Sequence, residues 1–297
     1  MKYQLGSVTR IGNRKENQDS YDSFSNDEAL VMVIADGLGG HKGGLLASKA
    51  VIRSVASAFK KEHGLIDNPA GFLQKVVLDS HDEINQVGAR SRPPIQPRTT
   101  AVICLIQAGL AWWVHVGDSR LYLFRQGESF FRTRDHSRME ELMQDGSLTT
   151  QQALTHPERH RITRCLGGPE AIKSISISKA VPLQMGDIIL LCTDGLWGAM
   201  RNQRILELVN GYHVDDMVNH LASEAETLSM PHTDNITIML MRWLSTSQKP
   251  TAILKNQTRK NRKNPTPARN SPKLKGEVSD AVGTLKAIFD EYEKELK

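Results

Sequence analysis

The chain is poor in cysteine, in aromatic residues and in long apolar runs. Its three cysteines, Cys104, Cys165 and Cys192, are an odd number. Each sits in a stretch that reads as core or core edge, so a disulfide framework is not expected and a reducing compartment is. No apolar run approaches the roughly 18 residues that a membrane-spanning helix needs. Met1-Lys2-Tyr3-Gln4-Leu5-Gly6 turns polar too soon to act as a secretory signal. A soluble, cytoplasmic protein is therefore expected. Acidic residues are missing from one place in particular. Between Lys249 and Lys275 stand nine basic residues and no Asp or Glu. Subtracting those nine from the 38 Lys and Arg leaves 29 against 33 Asp and Glu, a net of −4. The overall charge of +5 thus belongs to a tail and not to the body of the chain.

What is present is an ordinary globular composition, with 39% hydrophobic and 24% charged residues in 297. Residues 1–245 read as one mixed domain. Short apolar, β-branched segments mark strands at 30–35, 100–106, 112–116, 121–124, 187–192 and 236–241. Apolar positions at helical spacing mark helices over about 44–61, 69–89, 137–145, 202–210 and 214–229. Asp135 or Ser137, and Thr149, are suited to cap helix N-termini. Residues 246–276 are rich in Lys, Asn, Pro, Thr and Ser with no apolar period, which predicts a disordered basic linker. Over 277–297, Val282, Leu285, Phe289, Tyr292 and Leu296 form a heptad-like stripe. A helix there is too short to be stable alone, and is expected to dock on the domain, a second copy or a partner.

Several strands run straight into a Gly-Asp or Asp-Gly pair, and four Asp-containing turns stand out: Asn17-Gln18-Asp19, Ala35-Asp36-Gly37, Val116-Gly117-Asp118 and Thr193-Asp194-Gly195; a fifth, Thr233-Asp234-Asn235, precedes the last strand. One Asp-Gly pair is an ordinary turn signal. Five beside apolar strands of one domain suggest carboxylates delivered to a common edge. Carboxylates so gathered repel one another unless cations lie between them, and hard oxygen ligands suit Mg²⁺ or Mn²⁺ better than Zn²⁺. Two such ions would acidify a bound water and neutralise phosphoryl oxygens, the requirement of a phosphate-ester hydrolase.

Arg14-Lys15-Glu16-Asn17-Gln18-Asp19, Ala35-Asp36-Gly37-Leu38-Gly39-Gly40-His41, Thr99-Thr100, Gly117-Asp118-Ser119-Arg120, Asp135-His136-Ser137, His156-Pro157, Cys192-Thr193-Asp194-Gly195-Leu196 and Asp234-Asn235 together resemble the ordered motif series of the bacterial PPM (type 2C) protein phosphatases. The resemblance runs from about residue 5 to 242. It implies an α+β fold, a four-layer α-β-β-α sandwich of two antiparallel sheets flanked by helices, with the metals at one end. It further implies hydrolysis of phosphoserine and phosphothreonine in proteins by a metal-bridged hydroxide, opposing a cognate kinase. Asp36 would bridge two core ions, with the Gly37 carbonyl on one and Asp194 and Asp234 completing the other. Asp19 would lie at the same cluster, directly or through water, and Asp118 would help hold a third, looser ion. Arg14 would grip the substrate phosphate, and His41 is the candidate donor of a proton to the leaving group. Residues 132–168 correspond to the family's flap beside the active site.

Two departures from the family pattern stand out. Gln18 replaces a common Glu and removes a negative charge, and Arg98 precedes Thr99-Thr100 where a small residue is commoner. Other classes fit less well. No cysteine stands in the Cys-x5-Arg arrangement of cysteine phosphatases. The Gly-rich turn at 37–44 lacks a P-loop or dinucleotide spacing, and the basic linker lacks the interleaved aromatics of a single-strand nucleic-acid binder. A catalytically inactive scaffold of the same fold, or a tail-driven nucleic-acid-binding protein, are the alternatives.

Overall fold

The computed structural model describes residues 1–38, 43–153, 156–158, 161–172, 175–211 and 213–245. In chain order the strands are β1 (Tyr3–Arg10), β2 (Asp19–Ser25), β3 (Ala29–Asp36), β4 (Ala101–Gln107), β5 (Leu110–Val116), β6 (Arg120–Arg125), β7 (Glu128–Arg132), β8 (Val181–Pro182), β9 (Ile188–Cys192) and β10 (Ile236–Trp243). The helices are α1 (Gly44–Phe59), α2 (Pro69–Arg90), α3 (Arg138–Gln144), α4 (Thr150–Ala153), α5 (Asp194–Trp197), α6 (Asn202–Leu208) and α7 (Val214–Ser229). One five-stranded sheet has the order β1-β10-β9-β6-β7 and the other β2-β3-β4-β5-β8, with antiparallel pairing throughout.

The two-residue period of a strand explains the layering. In β3, Ala29, Val31, Val33 and Ala35 pack on Ala47, Ala50, Val51 and Val55 of α1 and on the buried face of α2. The alternate residues Leu30, Met32 and Ile34 meet Leu121, Leu123, Ile189, Leu191, Met239 and Met241 of the other sheet. That second sheet turns Tyr122, Leu190, Cys192, Ile238 and Leu240 outward onto Val218, Leu221 and Ala225 of α7. Helix, sheet, sheet and helix therefore stack as four layers. The central strands are covered on both faces and so read as continuous apolar runs, LVMVIA in β3 and AVICLI in β4.

Helix starts follow local chemistry. Asn68 accepts the Gly71 N–H at 3.0 Å with Pro69 at the first position of α2. Ser137, the N-cap of α3, accepts from Glu140 at 3.3 Å, and Thr149 accepts from the Gln152 N–H at 3.3 Å ahead of α4. The five predicted helices are present within two residues of their expected ends. The linker and the stripe from Val282 to Leu296 lie outside the described residues, as does His41.

Candidate active site

Antiparallel pairing brings the Asp turns to one end of the sandwich. Asp19 opens β2 and is the register partner of Asp36, which closes β3. Asp118 follows β5 through Gly117, whose φ of +104° requires glycine. Asp194 is the first residue of α5, directly after β9, and Asp234 stands two residues before β10. A Cβ at Gly37 would fall 2.4 Å from the Gly44 backbone, so the tight approach of the β3 end to α1 needs both glycines.

A shell of hydroxyls and amides fixes the turns that carry these carboxylates. Thr193 donates to Asp19 Oδ2 at 2.9 Å and accepts from the Thr237 N–H at 3.0 Å. The Asp36 N–H donates to Thr100 Oγ1 at 3.0 Å, and the Asp36 carbonyl accepts from Thr99 Oγ1 at 2.7 Å. Asn235 ties the 11–18 loop to the site, donating to the Ile11 carbonyl at 2.9 Å and accepting from the Gln18 N–H at 2.9 Å. The Gln18 carboxamide turns to Glu16 at 3.3 Å. Arg14 donates to Asp234 Oδ2 at 2.6 Å, in a pair whose arginine side chain is 56% exposed.

The electrostatics are those of too many negative charges in too little water. Burial, and then the charges of Asp19, Asp194, Asp118 and Asp234, push the Asp36 carboxyl well above its ordinary range. Burial and the neighbouring Asp194 do the same to Asp118. Asp19 is raised to about 7, chiefly by burial, although hydrogen bonds from Thr237 and Thr193 pull the other way. Burial and Asp234 raise Asp194 to about 6. Asp36 and Asp194 keep some solvent contact, yet the protein walls them in on most sides. Asp19 Oδ1 and Asp118 Oδ1 are buried without a hydrogen-bond partner. Each such acceptor costs about 1–3 kcal/mol unless something satisfies it. Among the described residues no three His, Cys, Asp or Glu side chains close into a metal cage. An ion that keeps several of its waters needs only one or two carboxylates and no such cage.

The segment after β7 is held against this end. Arg120 forks Asp135 at 2.8 and 2.6 Å and stacks on Trp197 of α5 at 3.7 Å. The Gly117 N–H donates to His136 Nδ1 at 3.2 Å, while the His136 N–H donates to the Gly117 carbonyl at 2.9 Å. Burial holds the His136 imidazole neutral, pushed down to about 2. Thr193, Asn235 and Arg120 stand in the motifs read from the sequence but were given no role there, and Thr237 was not singled out. A lone polar residue inside Ile236-Thr237-Ile238 was the available signal.

A sandwich of this topology with its carboxylates at one end is that of a PPM-type phosphatase. The family profile described as protein phosphatase 2C matches residues 8–245. The serine/threonine phosphatase stp of Listeria innocua is 28% identical over 232 residues, covering 77% of this chain and 90% of that protein. The crystal structure of the serine/threonine phosphatase Stp1 from Staphylococcus aureus superposes with a TM-score of 0.76 at 27% identity, over 82% of this chain and 96% of that one. A catalytic domain of the serine/threonine protein phosphatase PstP, solved with two manganese ions, has a TM-score of 0.66 at 26% identity, over 82% and 99% of the two chains. The chain belongs to the protein phosphatase 2C family and is a serine/threonine protein phosphatase.

Proposed function

We propose that the chain is a metal-dependent phosphatase, using Mg²⁺ or Mn²⁺ held among Asp19, Asp36, the Gly37 carbonyl, Asp118, Asp194 and Asp234. The observation that carries this reading is the buried, mutually repelling carboxylate set with its two unpartnered oxygens, Asp19 Oδ1 and Asp118 Oδ1. Divalent cations are the hard partner such oxygens lack; Asp19, Asp36, the Gly37 carbonyl, Asp194 and Asp234 would hold two core ions, and Asp118 would help to hold a third. Bound there, the ions supply an ionised water and charge neutralisation for a phosphoryl group. The protein's own groups then bind and orient. Arg14 presents a planar fork of donors beside Asp234, suited to two oxygens of a phosphomonoester. Thr193 holds the Asp19 carboxylate, and Thr100 and Asn235 hold the backbone at Asp36 and Gln18, so little reorganisation is needed as the substrate reacts.

Attack in line on phosphorus needs no covalent phosphoenzyme. The departing serine or threonine alkoxide needs a proton, and His41 is the candidate donor from its place five residues after Asp36; it lies outside the described residues. The substrates are phosphoproteins of a cognate Ser/Thr kinase, and the setting is cytoplasmic. Among the described residues no helix is long and apolar enough to cross a membrane. The test is hydrolysis of a phosphothreonine peptide by the full chain with EDTA, Mg²⁺ or Mn²⁺. Turnover that appears with either ion and stops with EDTA is expected. Equal turnover in EDTA, after removal of carried metal, would overturn the metal assignment.

A further inference from the structure

Arg98, one of the two departures from the family pattern, stands at the same end of the sandwich as the carboxylates. Its carbonyl accepts the N–H of Leu38, two residues beyond Asp36, at 3.0 Å. The next residue, Thr99, bridges Gly37 on one side and Leu166 on the other. The Arg98 side chain lines an open cavity of about 440 Å³ together with Arg164, Cys165, Glu170 and Ile172. It is only 20% exposed.

The guanidinium there is incompletely used. One terminal nitrogen reaches Glu170, at 3.3 and 3.1 Å to its two oxygens, and the other reaches Cys165 Sγ at 3.7 Å, a weak acceptor. Its Nε is buried with no partner. That nitrogen has no access to solvent, so an incoming oxyanion would be met at the terminal nitrogen that Glu170 now holds. The Glu170 side chain is 67% exposed, so the pair is of the weak, exchangeable kind. The backbone makes room for the guanidinium. Gly168, at φ +81°, would place a Cβ 2.7 Å from Arg98 Cζ, so a side chain at this turn would press on the group.

We propose that Arg98 is a specificity-determining residue that binds an oxyanion of the substrate close to the phosphorylated residue, with Glu170 holding that place when no substrate is bound. The ligand is the carboxylate of an acidic side chain or a second phosphate group. The proposal rests on the phosphatase reading above and adds to it a preference among phosphoproteins.

The test uses phosphothreonine peptides that carry, at each of three positions on either side in turn, alanine, glutamate or a non-hydrolysable phosphonate residue. The quantity read is kcat/KM for each acidic peptide divided by that for the alanine peptide. At one position at least, the full chain is expected to give a ratio of about five or more, carried by KM. Arg98→Gln is expected to bring that ratio to about one, and Glu170→Gln to raise it by freeing the fork. The arm with the larger ratio, glutamate or phosphonate, names the source of the oxyanion. A ratio near one at every position in the unaltered chain, or a ratio that Arg98→Gln leaves unchanged, would overturn the proposal. Because a ratio is read, a general loss of rate in a variant does not imitate the result. Absence of hydrolysis of the alanine peptide by the unaltered chain with Mn²⁺ would instead overturn the phosphatase reading on which the proposal stands.

Discussion

Two carboxylates opposite one another across an antiparallel pair are destabilising on their own. Asp19 and Asp36 are so placed, with Asp118, Asp194 and Asp234 adding to the repulsion. Asp36→Asn is therefore expected to lower turnover by about 10³-fold, the scale on which loss of one essential electrostatic group is felt. It should also raise the melting temperature of the metal-free protein, since one repelling charge is gone; assay and melt together check both halves. The pH dependence follows from the raised carboxyls. Between about pH 4 and 7 folded Asp19 keeps a proton that the unfolded chain, at its ordinary 3.8, has released. Stability from that proton is complete below pH 4 and is lost as pH rises through 7, and Asp194 behaves alike up to about 6. Melts in EDTA should thus fall in temperature from pH 5 to 8, and Mn²⁺ should flatten or reverse that slope. Arg14→Ala is expected to cut kcat/KM by about 10²-fold while barely changing the melt, because its pair with Asp234 is largely exposed. Four of the Asp turns were legible in the sequence because each stands beside an apolar run; the turn at Asp19 adjoins the polar strand β2 and was read through the motif series. The bond from Thr193 to Asp19 was not legible, because the two are 174 residues apart and nothing local marks the contact.

Elements were legible in proportion to how fully they are covered. The six strands read from sequence are buried on both faces, so their apolar runs are unbroken. The strands that were not read, β1, β2, β7 and the two-residue β8, are edges or join edges, and their half-exposed faces carry polar residues such as Ser7, Asp22 and Glu128. Helix α5 was also missed, since four residues carry no helical period. It matters all the same, because it sets Asp194 against Asp234. A Cβ on Gly195 would lie 2.1 Å from the Asn235 carbonyl oxygen. Gly195→Ala must push α5 away from β10, and is expected to cost about 1–3 kcal/mol of stability and most of the activity. Denaturant unfolding and peptide hydrolysis measure the two losses.

For the molecule as a whole, the family match and the described fold both stop at residue 245, and the excess positive charge lies beyond it. The four layers were anticipated through the resemblance; periodicity alone supplied the strands and helices but not which sheet each strand joins, because pairing between β1 and β10 spans the whole domain. The division at 245 remains a proposal, and deletion of 246–297 addresses it. Turnover of a short phosphopeptide is expected to stay within about twofold of the full chain, since the carboxylates and Arg14 all lie before residue 245. Loss of all hydrolysis would mean that the tail completes the catalytic unit.

The most direct measurement is calorimetric titration of the metal-free full chain with Mn²⁺, beside the same titration of Asp36→Asn. The predicted result is saturable binding of at least two ions by the unaltered chain and loss of that binding in the variant, with both proteins folded by circular dichroism. No saturable binding by the unaltered chain, or identical isotherms for the two proteins, would contradict the assignment of this carboxylate edge as a metal centre.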